Sequence, residues 1–251
     1  MQEAQVFRRW WFVGLLRGEP ESAAPRRHHS KEQDELVRRE WEVLRERLTV
    51  HASERVTTAG EIIQAAELRL APEEASARRD YLWALEAYEA AGRLLDDATD
   101  LPDLAAAAVL AERAVERLAA AHAVHAGLRP TAPVLRCFYN PLHGSASPTA
   151  GRSPKKERQR PRTSARQAAA DRRPACTDCR RAILAGQTPD VLPALLPAKA
   201  AGRSGGPLLV PYYAVPQQWS PWSVSACGAY DDQAPALVLR GGHRRDRDRK
   251  G

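Results

Sequence analysis

Residues 32–70 have the sequence EQDELVRREWEVLRERLTVHASERVTTAGEIIQAAELRL, and this stretch decides the fold class. Its apolar residues recur at spacings of three and four, which places them along one face of an α-helix. Arg and Glu fill most of the other positions, as is typical of a solvated surface. The pattern therefore predicts one long amphipathic helix, with an apolar stripe made of Val37, Trp41, Leu44, Leu48, Ala52, Val56, Ala59, Ile63, Ala66 and Leu70.

Two shorter helices are predicted to follow. Pro72 interrupts the long helix, and the apolar residues after it favour a second helix over 72–98. Asp100 stands in a turn just before Pro102, and a capping residue followed by a proline is typical of the first turn of a helix. A third helix is therefore expected over 102–126, and the glycine that follows it ends the helix.

The short connections between these helices favour an antiparallel bundle of about three helices. At 1.5 Å per residue the first helix would be about 58 Å long, which exceeds the length of the other two. It is therefore expected either to bend near Gly60 or to extend beyond them. An extension predicts a protein partner, or self-association, through a coiled-coil contact of the long helix.

The rest of the chain predicts a second, smaller region. The fold class expected for the whole is mainly α: the helical bundle, then a small irregular α+β module similar to a zinc ribbon. A strand bracketed by prolines is expected at 207–216. The predicted organisation is a flexible N-terminal segment at 1–31 with a short apolar patch, the helical bundle at 32–127, a Cys/His module at 137–239 interrupted by a disordered basic loop at 151–175, and a disordered basic tail at 240–251.

The positive charge of the chain is concentrated in the loop and the tail. The 251 residues carry a formal net charge of +7. Residues 151–175 contain nine basic residues and two acidic ones, whereas 67–126 contain twelve acidic residues and six Arg. A charge run of this kind is usually solvated, but it also predicts weak contact with nucleic acid or an anionic membrane surface. The candidate polyanion-binding residues are Arg152, Lys155, Lys156, Arg158, Arg160 and Arg162.

Four side chains form a pattern of candidate metal ligands. Five residues separate Cys137 from His143, and two separate Cys176 from Cys179. Two such pairs of ligands, each at a turn, are typical of small zinc modules, because each pair points two ligand atoms at one ion. The Asn-Pro dipeptide between the first two residues predicts a turn that folds the histidine back towards the cysteine. The pattern therefore predicts a structural zinc ion held by all four side chains.

Two alternatives to zinc remain open. A Cys-x2-Cys motif also occurs in redox proteins, although there it lies between a strand and a helix, whereas here an Arg-rich segment precedes it. In the other alternative the cysteines bind nothing and His143 is a turn residue. Cys227 is expected to be a small buried apolar residue, and it is the substitute ligand if His143 points away.

No catalytic motif accompanies these residues. The chain has no P-loop, GxGxxG or HExxH pattern, and four protein ligands would leave a zinc ion without an open position. The sequence therefore predicts a non-enzymatic scaffold or protein-interaction protein. The alternative function is peripheral membrane association or nucleic-acid binding through the Arg-rich loop and tail.

The apolar patch WWFVGLL at 10–16 bears on location. A membrane span needs about 20 apolar residues, and a secretory leader needs a run of roughly 7–15 followed by a cleavage site with small residues. The expected location is therefore the cytoplasm, with reduced thiols. The patch is expected to pack onto the helices, and contact with a membrane surface is the alternative.

Four segments carry a resemblance to known sequences: CFYNPLHG at 137–144, CTDCRRAILAGQTPDVLPALL at 176–196, VPYYAVP at 210–216 and SPWSVSACGAYDD at 220–232. They resemble a group of uncharacterised bacterial proteins from high-GC Gram-positive organisms. The resemblance covers roughly residues 55–245. It implies that the cysteines and histidine of the first two segments act as one unit and that Cys227 is incidental. In the group a membrane anchor precedes the helices, and this sequence departs from that pattern, because it has only WWFVGLL at that place. The resemblance implies no substrate.

Overall fold

The computed structural model describes residues 31–66, 68–147, 173–198, 201 and 206–244. Three long helices come first: α1 (Lys31–Ala65), α2 (Ala75–Asp97) and α3 (Leu101–His125). They are followed by α4 (Thr177–Leu184), strands β1 (Pro193–Leu196) and β2 (Leu208–Pro211), and short helices α5 (Trp222–Ser225) and α6 (Ala234–Leu239). Single 3-10 turns lie at Tyr212–Ala214 and Gly242–Arg244. The predicted fold class, mainly α with a small irregular region at the end, is confirmed.

The first helix ends earlier than the apolar stripe predicted. It runs unbroken through Gly60 and stops at Ala65 instead of Leu70. Ala66 and Leu70 nevertheless remain partly buried in the connection that follows. The spacing of apolar residues reports which side chains pack inwards, and a loop can continue to pack inwards after the helix has ended.

The three long helices alternate in direction. At the start of α3, the Trp41 indole N–H of α1 donates to the Asp100 carboxylate at 2.9 Å. Further along both helices, Arg55 and Glu112 form an ion pair at 3.2 Å. Helices α1 and α3 therefore run in the same direction. Helix α2 runs against both, because only residues 98–100 connect it to α3.

Two acidic residues at the start of α3 join distant parts of the chain. Asp100 and Asp103 form a capping box, in which the carboxylate of each residue accepts the backbone N–H of the other. Asp100 also accepts the backbone N–H of Leu195 in β1 at 3.1 Å. Asp103 accepts the indole N–H of Trp222 in α5 at 2.9 Å. These contacts attach β1 and α5 to the helical bundle.

The sheet has two antiparallel strands, which pair from Pro193 with Pro211 to Leu196 with Leu208. The strand predicted at 207–216 is therefore shorter than expected. Pro211 has no N–H with which to extend the ladder, and the chain turns at once into a 3-10 turn. Its first residue, Tyr212, still donates its backbone N–H to the carbonyl of Leu192 at 3.0 Å.

The helices and the irregular region share a hydrophobic core. One cluster of buried side chains includes alanines from all three long helices, Val210 of β2, Trp222 of α5 and Val238 of α6. Burying this apolar surface from both regions is favourable, at about 25 cal/mol per Å². The two regions predicted from the sequence therefore pack directly against each other.

Some expectations concern residues outside this description. The apolar patch at 10–16, residues 151–172 of the Arg-rich loop and residues 245–251 of the tail lie among them. Residues 240–244, which were expected in a free tail, instead end α6 and form a 3-10 turn whose Arg244 pairs with Asp97. Within the described ranges, no helix combines the length and the apolar character that a membrane crossing requires.

Candidate metal centre

Four ligand atoms converge on one point beside α4. The sulfur atoms of Cys137, Cys176 and Cys179 and a ring nitrogen of His143 all lie within 4.8 Å of one another. The three cysteines are buried, with exposed fractions of 0%, 8% and 1%, whereas the histidine is partly buried. Among the described residues this is the one group of three or more His, Cys, Asp or Glu side chains that converges in this way. These four side chains could hold a metal ion.

Backbone hydrogen bonds fix the chain around Cys137. The N–H of Phe138 donates to the carbonyl of Pro174 at 2.8 Å, and the N–H of Leu192 donates to the carbonyl of Tyr139 at 3.0 Å. The segment that begins with Cys137 therefore lies between the residues that precede α4 and those that precede β1.

A tight turn brings His143 back towards Cys137. The N–H of His143 donates to the carbonyl of Asn140 at 3.0 Å, and the N–H of Leu142 donates to the side-chain oxygen of Asn140 at 3.2 Å. Pro141 occupies the second position of this turn, where its fixed φ is favoured. The turn could be predicted from the sequence, because asparagine and proline favour it through local geometry alone.

The Cys-x2-Cys motif forms the first turn of α4. Cys176 is the N-cap residue, and its sulfur accepts the backbone N–H of Cys179 at 3.5 Å. The start of a helix presents unpaired N–H groups and the positive end of the helix dipole, and both favour a thiolate. The two sulfurs each lie 3.4 Å from Nδ1 of His143. The start of α4 therefore places both sulfurs beside the same ring nitrogen of His143.

Asp190 contacts the other side of the His143 ring. Its carboxylate oxygen lies 3.3 Å from Nε2 of the imidazole, and its backbone carbonyl lies 3.7 Å from the sulfur of Cys179. A carboxylate on the far nitrogen of a metal-binding histidine fixes the orientation of the ring and raises its basicity. The sequence prediction missed Asp190, because it follows α4 in a loop and its spacing from the ligands matches no motif.

The separations fit tetrahedral coordination of a zinc-sized ion. With a Zn–S bond of about 2.3 Å and a Zn–N bond of about 2.0 Å, a tetrahedron places sulfur about 3.5 Å from nitrogen. The two separations of 3.4 Å between sulfur and Nδ1 match that value. The sulfur of Cys137 lies within 4.8 Å of the other three ligand atoms.

Protons are shared within the group of four side chains. The pKa of the Cys137 thiol is lowered, first by a hydrogen bond from Cys179, then by one from His143 and by backbone hydrogen bonds of Cys176 and Asn140, while burial acts in the opposite direction. The pKa of Cys179 is raised, because it is the donor in that pair. The pKa of His143 is raised to about 10 by its hydrogen bonds to Asp190 and Cys137. A bound cation would displace these protons, since metals bind thiolates and neutral imidazole.

Arg136 ties the centre to the helical bundle. Its guanidinium lies 2.5 Å from the carboxylates of both Glu112 and Glu116 on α3, although Arg136 is only 6% exposed. Its backbone carbonyl accepts a hydrogen bond from the hydroxyl of Tyr230. A buried guanidinium with two carboxylates is held in one orientation. The backbone next to Cys137 is therefore anchored to α3 through Arg136.

The remaining candidate residues lie elsewhere. Cys227 is fully buried in the core cluster that includes Trp222, apart from the four ligands, so it is a small apolar core residue as expected. In redox proteins a Cys-x2-Cys motif lies between a strand and a helix. Here the motif follows Ala175, which makes only an isolated bridge with Ser147 and belongs to no strand. The candidate polyanion-binding residues Arg152, Lys155, Lys156, Arg158, Arg160 and Arg162 lie outside the described residues, and their role stays a prediction.

Comparison with known proteins does not add to this picture. No protein-family model, no curated protein and no solved structure matches the chain. The resemblance to uncharacterised bacterial proteins therefore stays a prediction, and the function has to be argued from the geometry of the site.

Proposed function

We propose that the chain is a non-enzymatic scaffold protein in which one structural zinc ion fixes the irregular region onto the helical bundle. The observation that carries the proposal is the convergence of Cys137, His143, Cys176 and Cys179 within 4.8 Å, with three of the four side chains buried. The rest of the proposal follows from the chemistry of this ligand set.

The ligand set favours zinc over other metals. Three sulfurs and one imidazole nitrogen are soft to borderline ligands, whereas magnesium and calcium require oxygen ligands. Zinc binds thiolates and imidazole in tetrahedral sites, and the separations of sulfur from nitrogen suit a single ion of that geometry. The charge of three thiolates also exceeds that of the ion, and the N–H groups directed at Cys137 and Cys176 offset part of the excess.

The arrangement supports a structural role rather than a catalytic one. A catalytic zinc ion binds three protein ligands and keeps a fourth position for water or substrate. Here four ligands surround one point, and the nearby carboxylate of Asp190 is directed at the His143 ring. The burial of the three cysteines also keeps substrate away from the proposed ion.

A zinc ion at this point would reinforce the backbone contacts that already join the segments around it. It would link the turn that carries His143 to the start of α4, on either side of residues 148–172. Metal binding at such a site stabilises the folded state, because the unfolded chain has no preformed site for the ion. The same ligands require reduced thiols, so we propose a reducing compartment such as the cytoplasm.

Elemental analysis of the purified full-length protein tests the proposal. We expect about one zinc ion per chain, and none in the double variant Cys176→Ser/Cys179→Ser. The matched control is Cys227→Ala, which changes a buried cysteine outside the group and should keep the zinc ion.

Thermal unfolding with and without a chelator completes the test. Because the irregular region and the helices share a core, we expect the chelator to lower the melting temperature of the helical signal in one transition. A wild-type protein that contains no metal and melts at the same temperature in chelator would exclude a structural zinc ion.

A further inference from the structure

One buried hydroxyl group beside the cysteines makes no hydrogen bond within the described residues. It belongs to Tyr213, which lies in the 3-10 turn after β2. A buried hydroxyl without a partner is unfavourable, because folding removes its hydrogen bonds to water and replaces them with none. The surroundings of this hydroxyl therefore decide whether it has an acceptor when a metal ion is bound.

The ring of Tyr213 is held against the group of three cysteines. It packs on the buried cluster that contains all three of them. Tyr139 meets it edge-on, with ring centroids 6.1 Å apart, and the ring of Phe138 lies at 5.3 Å. The guanidinium of Arg173 lies 5.3 Å from the ring centroid. Contacts of this kind on several sides fix the orientation of the ring.

The Tyr213 hydroxyl is available as a hydrogen-bond donor. Burial raises its pKa, and the charges of Tyr139 and Cys179 raise the pKa further, whereas Arg173 acts in the opposite direction. The group therefore keeps its proton at neutral pH. Cys179 is also the cysteine whose charge acts on this hydroxyl, so its sulfur is the candidate acceptor.

Two of the three cysteines have backbone donors directed at their sulfur atoms. The sulfur of Cys137 accepts backbone hydrogen bonds from Cys176 and Asn140. The sulfur of Cys176 accepts the backbone N–H of Cys179 at 3.5 Å. Such hydrogen bonds stabilise a thiolate, and they would persist beside a bound ion because the backbone keeps its protons.

The third cysteine has no such backbone donor within the described ranges. The thiol of Cys179 donates to the backbone carbonyl of Asp190 at 3.7 Å, and its sulfur lies 3.4 Å from Nδ1 of His143, which would itself bind the ion. Loss of the thiol proton to a metal would leave this sulfur beside a carbonyl oxygen and without a donor. Three thiolates also exceed the charge of a divalent ion by one, so a further donor would stabilise the bound state.

We infer that the hydroxyl of Tyr213 donates a hydrogen bond to the sulfur of Cys179 in the zinc-loaded protein and is a positioning residue for that ligand. A donor without an acceptor and a sulfur without a backbone donor belong to the same packed group, and one O–H···S hydrogen bond satisfies both. The inference rests on the proposed zinc site, because metal binding removes the thiol proton. It adds the turn after β2 to the segments that support the site.

Tyr213→Phe removes the hydroxyl and keeps the ring. Without zinc, we expect the variant to melt at the wild-type temperature or above it, because a buried hydroxyl without a partner is lost. With zinc, it should melt below the wild type, and its zinc affinity should fall about 10–100-fold, as is typical for contacts that support a metal ligand. Thermal unfolding of the full-length protein and competition with a chromophoric chelator measure these changes. A shift of both forms in the same direction would show a structural role of the ring alone.

Tyr212→Phe is the matched control. The Tyr212 hydroxyl lies on the neighbouring residue, but it already donates to the backbone carbonyl of Phe138. Its removal should lower the melting temperature by similar amounts with and without zinc, and the zinc affinity should stay near that of the wild type. An equal loss of zinc affinity in Tyr212→Phe and Tyr213→Phe would contradict a specific role of Tyr213.

Substitution of cobalt for zinc reports on the sulfur itself. Co²⁺ also binds thiolate and imidazole ligands, and its charge-transfer band depends on the energy of the sulfur lone pairs. A hydrogen bond lowers that energy, so the band should move to longer wavelength in Tyr213→Phe and stay in place in Tyr212→Phe. An unchanged band in Tyr213→Phe overturns the inference, because the hydroxyl then donates to another acceptor or to none.

The outcomes separate this inference from the zinc proposal. A wild-type protein that binds zinc, with a Tyr213→Phe variant of equal affinity and an unchanged cobalt spectrum, overturns the role of the hydroxyl and leaves the zinc site standing. A wild-type protein that binds no zinc overturns both.

Discussion

Single residues outside the group of four Cys and His side chains orient the candidate metal site. Asp190 holds the far nitrogen of His143, and Arg136 holds the chain beside Cys137 against two glutamates of α3. Both contacts join residues more than 19 positions apart in the chain. A motif defined by spacing includes the ligands themselves and omits these supports, because their positions depend on the path of the chain.

Asp190→Asn should weaken metal binding without unfolding the protein. The amide keeps the shape of the side chain but removes the charge that orients and polarises His143, and loss of such a contact typically costs about 10–100-fold in metal affinity. Competition with a chromophoric chelator measures the change. Asp178→Asn is the matched control, because Asp178 lies inside the Cys-x2-Cys motif but is exposed and pairs with Arg181. An equal loss in both variants would contradict a specific role for Asp190.

At the scale of secondary-structure elements, the helices pack closely because small residues lie at their contacts. Helix α3 buries four consecutive alanines at 105–108. Gly60 of α1 lies against Tyr88 of α2, where an added Cβ would lie 2.6 Å from the tyrosine oxygen. The sequence predicted either a bend near Gly60 or an extension of the helix beyond the other two, and the helix continues through Gly60. The glycine is needed for the approach of a neighbouring helix, which a single helical pattern cannot show.

Two glycines within helices should therefore respond differently to alanine. Gly92→Ala in α2 should raise the free energy of unfolding by about 0.5–1 kcal/mol, because its Cβ would meet nothing within 4 Å and alanine favours the helix. Gly60→Ala should lower the free energy of unfolding by about 1–3 kcal/mol through overpacking. Urea unfolding of the zinc-loaded protein measures both changes.

A third variant separates steric conflict from any other effect at Gly60. In a Tyr88→Phe background the closest oxygen is gone, and the nearest remaining ring carbon lies 3.1 Å from the added Cβ. Gly60→Ala should therefore cost less in that background. An unchanged cost would mean that contact with the Tyr88 hydroxyl is not the reason.

At the scale of the whole molecule, the Cys/His group joins two segments of the chain that residues 148–172 separate in sequence. The described residues on either side of that segment lie together, because Ser147 donates its N–H to the carbonyl of Ala175 at 3.3 Å. His143 belongs to the first of these segments and Cys176 to the second.

Replacement of residues 148–172 by a short Gly-Ser linker should leave the fold and the zinc content unchanged. Ser147 and Ala175, on either side of the segment, already lie together, and the closure entropy of a loop changes by only about 0.6 kcal/mol for each halving of its length. The measurements are zinc content and melting temperature. A scrambled segment of the same length is the control, and loss of zinc from the linker variant alone would show that residues 148–172 help to form the proposed zinc site.

Local patterns in the sequence determined the mainly helical fold class, the approximate limits of three helices, the turn before His143 and the four side chains that meet. Apolar periodicity, turn preference and the spacing within each ligand pair extend over only a few residues, so they can be recognised from the sequence without knowledge of the fold. Only the tertiary structure decided that Asp190 supports His143, that Trp222 donates to Asp103 from 119 residues away, and that both regions share one core. Such contacts join distant parts of the chain, and their partners are selected by packing, which no local pattern records.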